Sequence, residues 1–94
     1  MEAVDWLRAK GLVAQSRDSG LGQEIVISVG TPKKERGGIL NYPFRMHLCP
    51  EPETPGGWYL IENEDWRERF DNLQAAVEGA AFRAERWKNQ KERS

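Results

Sequence analysis

The chain has 94 residues, 38% of them hydrophobic, and its 14 basic and 15 acidic side chains leave a net charge of −1. A folding unit usually takes ~100–200 residues, so this length allows one domain, read here as residues 1–90 with 91–94 as a frayed tail. Near-neutral charge argues against a generally basic nucleic-acid binder, one cysteine rules out an internal disulfide scaffold, and no apolar run reaches the ~18 residues that span a bilayer.

The acidic start, Met1-Glu2-Ala3-Val4-Asp5, carries no positively charged signal region, and with the lone Cys49 it points to the cytoplasm. A helix is expected over Ala3–Lys10, where Val4 and Leu7 share a face with Trp6 alongside. Gly11 then stands where a left-handed residue closes a helix, and Leu12 where it can touch Leu7 in a Schellman closure. Ser16-Arg17-Asp18-Ser19-Gly20 reads as loop. Glu24–Val29 alternates Ile25, Ile27 and Val29 with Val26 and Ser28, the pattern of a strand. Gly30–Gly38 follows as a long polar loop.

Ile39–Cys49 carries the clearest alternation, with Leu40, Tyr42, Phe44, Met46 and Leu48 on one face and Asn41, Pro43, Arg45 and His47 on the other. Pro43 has no N–H to give to a ladder, so an edge position or a bulge is expected there. After a proline-rich turn, Trp58–Glu62 is a third strand pairing with Ile39–Cys49. Glu64–Arg69 reads as an extra helical turn or a linker. Phe70, Leu73, Val77, Ala80, Ala84 and Trp87 recur at helical spacing and define the last helix. Asp71 and Gln74 form its capping box, with Phe70 stapled onto Ala75. Gly79 inside this helix costs ~1 kcal/mol relative to Ala and lets the helix approach the sheet. The order α-β-β-β-α places the chain in the α+β class, as a three-stranded antiparallel sheet with both helices packed on one face.

Catalysis is not expected. His47 and Cys49 share a strand face but lie ~6.5–7 Å apart along it, beyond the reach of a thiolate–imidazole hydrogen bond. One Cys and one His fall short of a zinc donor set, so neither metal nor cofactor is expected. The carboxylates Glu51, Glu53, Glu62, Glu64 and Asp65 have no basic residue among them and read as a solvated or docking surface. Neither G-x-x-x-x-G-K-[ST] nor G-x-G-x-x-G occurs, which leaves no phosphate loop.

Binding chemistry is better represented. Trp and Arg are enriched at protein-binding hot spots. Trp66, Arg67, Arg69, Arg83, Arg86 and Trp87 form a charged-aromatic strip expected to contact a protein partner or a second copy, with the acidic loop Glu51–Glu53 as a second candidate. The function expected is that of a non-enzymatic accessory, regulatory or inhibitor-type domain. The alternative is a nucleic-acid binder using Lys33, Lys34 and Arg36 in a glycine-bounded loop together with the basic end of the last helix. In element order the chain resembles the double-stranded RNA-binding domain, which implies contact with duplex RNA. It departs from that family at the start of the last helix, where Asp71-Asn72-Leu73-Gln74-Ala75 replaces a lysine cluster. Nor is Pro55-Gly56-Gly57 the family's glycine–proline–histidine loop.

Overall fold

A computed structural model describes residues 2–20, 22–62 and 66–92. The chain enters as helix α1 (Ala3–Ala9). At its end Gly11 takes a φ of +83°. The Gly11 N–H donates to the Arg8 carbonyl at 3.0 Å and the Leu12 N–H to the Leu7 carbonyl at 3.2 Å, the two bonds of the expected Schellman closure. That turn delivers both Leu7 and Leu12 to the core.

Seven strands follow: β1 (Val13–Ser19), β2 (Gly22–Val29), β3 (Lys33–Lys34), β4 (Leu40–Asn41), β5 (Phe44–Pro50), β6 (Trp58–Glu62) and β7 (Trp66–Phe70). The chain ends in helix α2 (Leu73–Glu92). Five strands form one antiparallel sheet in the order β1-β2-β5-β6-β7, and β3 and β4 pair separately as a short arm inserted between β2 and β5. The class is α+β, but the expected three-stranded sheet with both helices on one face is overturned by this five-stranded sheet. With it goes the α-β-β-β-α order shared with the double-stranded RNA-binding domain.

The two additional strands are both edges of the sheet. Three of the seven residues of β1 (Ser16, Asp18 and Ser19) are of types that favour turns, and from this segment only Ala14 and the preceding Leu12 bring apolar groups to the core. In β7, three charged residues lie between Trp66 and Phe70, the composition that keeps an edge from pairing further. The long alternating stretch Ile39–Cys49 is likewise two elements. It breaks at Tyr42-Pro43, where proline has no donor, and Leu40 falls on the short arm, 45% exposed.

Ile25, Ile27, Val29, Met46, Leu48 and Leu60 form the sheet side of the core, packed with Leu7, Ala76, Val77, Ala80 and Ala84. α2 touches β2, β5, β6 and β7, while α1 packs on β1 and on α2. The alanines keep the α2 backbone close to the sheet. At Gly79 an added Cβ would stand 2.5 Å from Phe70 Cζ, so the helix propensity given up there makes room for that ring.

Capping differs by one residue from the sequence reading. The Ala75 N–H donates to Asn72 Oδ1 at 2.8 Å, which makes Asn72 the cap, whereas Asp71 accepts from Arg69 at 2.6 Å. Among the described residues no helix is long and apolar enough to cross a membrane. Asn72→Ala should lower stability by ~1 kcal/mol in urea unfolding, as loss of an N-cap does. Asp71→Ala, which removes only a solvent-exposed pair, should cost less than ~0.5 kcal/mol.

Candidate functional site

Because side chains alternate along a strand, the residues between the core positions all emerge on the opposite side of the sheet. Strand pairing aligns them in rows. Val26, His47, Ile61 and Arg67 form one row across β2, β5, β6 and β7. In the next, Arg17 stands opposite Glu24, and Cys49 opposite Tyr59, which in turn faces Arg69. Arg45 lies one row further, opposite Ser28. The middle of this open face is half-buried (Val26, His47, Cys49, Tyr59 and Ile61), and its surroundings are the exposed Arg17, Arg45, Arg67 and Arg69.

Glu24 organises one side of this face. It is 7% exposed, and a buried carboxylate needs partners to offset its lost hydration. Arg17 Nη2 lies 3.3 Å from both of its oxygens, and His47 Nδ1 hydrogen-bonds to its Oε1. Burial pushes the carboxyl pKa up, but His47, through its hydrogen bond and charge, and then Arg17 outweigh it and hold the group below its ordinary value. An ionised carboxylate can only accept, so Nδ1 carries the shared proton.

Cys49 responds in the other direction. Burial, followed by the charge and hydrogen bonding of Glu24, pushes the thiol pKa up, so it stays protonated. A reactive cysteine needs the reverse, a lowered pKa in electropositive surroundings. His47 directs Nδ1 to Glu24.

The β7 side of the face is also held in place. The Arg67 guanidinium sits over the Tyr59 ring, 5.1 Å from its centroid. Arg69 Nε donates to Glu51 Oε2 at 2.7 Å and its Nη1 to Asp71. Glu51 lies against Gly57, where any side chain would collide with the carboxylate. Side chains ordered in this way lose less freedom when a partner arrives.

The structure divides the expected charged-aromatic strip. It brings Arg67 and Arg69 together on the open face, while the Trp66 side chain lies outside the described residues. Arg83, Arg86 and Trp87 are on α2, where they line a cleft of about 160 Å³ with Phe44, Glu62 and Gln90. Arg83 pairs with Glu62. Trp87 stacks on Phe44, with centroids 5.6 Å apart and planes 22° apart, and closes over Gly30, which has no room for a Cβ. Trp87 therefore packs against the core. Lys33, Lys34 and Arg36 are exposed on or beside the β3–β4 arm, next to Ile39, which is 66% exposed. In the acidic loop Glu51 is committed to Arg69 and Glu53 is exposed; Glu64 and Asp65 lie outside the described residues. Among the described residues no group of three or more His, Cys, Asp or Glu could hold a metal ion.

Sequence reasoning passed over Arg17, Glu24, Val26, Arg45, Tyr59 and Ile61 as site residues. A signal existed for the first two. With Ser19 paired to Gly22, the β1–β2 connection is only two residues long, which places Arg17 beside Glu24. A two-residue connection led by Gly20 between two extended segments is readable as such a hairpin, but only once β1 is known to be a strand. No protein-family model, curated protein or solved structure matches this chain.

The depressed pKa of Glu24 fixes the sign of its pH dependence: the stabilisation is complete above about pH 4.5, the ordinary value, and is lost as pH falls through the lower folded-state value. Urea unfolding should therefore show a steeper acid loss of stability in the native chain than in Glu24→Gln. At neutral pH, Glu24→Gln should itself cost ~2 kcal/mol, as expected for hydrogen bonds to a charged group.

Proposed function

We propose that this chain is a non-enzymatic accessory or inhibitor-type domain that binds an acidic surface of another protein through the open face of its sheet. One observation carries this reading: half-buried Val26, Tyr59 and Ile61 sit among four exposed arginines. An apolar centre with a polar rim is the usual anatomy of a protein interface, and Tyr and Arg are the residue types that dominate its energetics. Arg45 and Arg67 supply complementarity to carboxylates and steer the encounter, while Arg17 and Arg69 are held by acids of the chain itself. Arg67 and Arg69 belong to the strip singled out from the sequence. The reading takes the cytoplasm as the place of action, where a lone thiol such as Cys49 stays reduced.

Protein is favoured over nucleic acid by how the cations are used. Affinity for a phosphate backbone grows with the number of phosphates neutralised. On this face Arg17 is committed to Glu24, and Arg69 to Glu51 and Asp71. A second reading rests on the exposed Lys33, Lys34 and Arg36, which are placed to reach phosphates from the β3–β4 arm.

Affinity capture from native lysate separates the two. A protein retained by the native chain should be lost with Arg45→Glu/Arg67→Glu and kept with Lys33→Ala/Lys34→Ala/Arg36→Ala, with nuclease having no effect. Capture indifferent to the Arg45/Arg67 variant overturns the open-face reading. Capture abolished by nuclease and by the Lys33/Lys34/Arg36 variant establishes the nucleic-acid reading instead.

A further inference from the structure

Away from the open sheet face, α2 presents a second surface of different character. Gln74, Glu78, Phe82, Glu85, Arg86 and Asn89 are all exposed, and they form the stripe opposite the buried Ala76, Val77, Ala80 and Ala84. Phe82 is 62% exposed, a large aromatic with its ring in water. Beside it runs a groove of about 420 Å³ between the two helices, with Trp6, Leu12 and Ala81 among its lining residues and Lys10 over the Trp6 ring.

Glu78, Phe82 and Arg86 are spaced four apart, so they make up one ridge of the helix surface with an acid at one end, an aromatic in the middle and a base at the other. Such a row complements itself when reversed. If two copies of α2 lie antiparallel about a twofold axis at Phe82, Phe82 meets the partner's Phe82. Glu78 then lies beside the partner's Arg86, and Arg86 beside the partner's Glu78. Each contact occurs twice, as a twofold interface requires. Packing of such four-spaced ridges side by side is also the commonest way for helices to cross. Within one chain the Arg86 guanidinium lies 6.0 Å from the centroid of the Phe82 ring, and Gln74 Nε2 donates to Glu78 at 3.3 Å.

We propose that a second copy of this chain docks here, giving an antiparallel α2–α2 homodimer centred on Phe82 and flanked by two Glu78–Arg86 pairs. This is independent of the partner proposed for the sheet face, which lies on other residues. The charge arrangement gives a stringent test, because all the positions involved are exposed and substitutions there leave the core untouched. Sedimentation equilibrium of the native chain up to millimolar concentration should show a reversible dimer. Glu78→Arg alone and Arg86→Glu alone each place like charges at both ends of the ridge and should weaken it by about tenfold or more. Mixing those two variants should restore dimers, as should the double variant Glu78→Arg/Arg86→Glu, while Phe82→Asp should abolish them in every background. A native chain that stays monomeric throughout the range overturns the proposal. So does a dimer that neither single charge reversal weakens, or one that the mixture fails to restore.

Discussion

Burial of one sheet face against the small-residue side of α2 is the constraint on which the other features depend. Ile27, Met46, Leu48 and Leu60 are fully buried together with Ala76, Ala80 and Ala84, and a domain this size has no second core to fall back on. Because the side-chain period of a strand is two, fixing these positions inward also fixes their neighbours outward. His47 emerges because Met46 and Leu48 do not, and Ile61 because Leu60 does not. A slip of one residue would exchange the two sets, leaving the core polar and the open face apolar.

Part of the outward set is tied together by ion pairs. Glu24 is drawn nearly out of water and is kept ionised there by His47 and Arg17. At the other edge Arg69 is held between Glu51 and Asp71, with Gly57 leaving space for the Glu51 carboxylate. A surface ordered before it meets a partner commits less entropy on binding. Burial, and after it the charge and hydrogen bonding of Glu24, raises the Cys49 pKa and makes its thiol a poor nucleophile.

Legibility along the chain followed how much each segment buries by itself. α1 with its Schellman closure, β2, β6 and α2 were readable because their apolar periodicity or capping chemistry is local. β1 and β7 were not, since an edge strand gains half its partners and hides its polar composition behind backbone pairing alone. β4 and β5 merged into one apparent strand because alternation continues unbroken across Tyr42-Pro43, and only the loss of a ladder there separates them. The N-cap moved from Asp71 to Asn72 because Arg69, on a strand the sequence did not reveal, engages Asp71.

The candidate site shows the same division. Arg67 and Arg69 were visible as charged neighbours of an aromatic, yet nothing local separates them from Arg83, Arg86 and Trp87, which the fold places on α2 around Phe44 and Glu62. The amino-acid order alone determined the class, the main helix and its inward stripe, all properties set within a few turns or a single strand. Strand count, edge identity and the meeting of Arg17, Glu24 and His47 were decided only in three dimensions. The Glu24–His47 hydrogen bond joins residues 23 positions apart, and backbone pairing between strands leaves no local mark in the sequence by which such a meeting could be read.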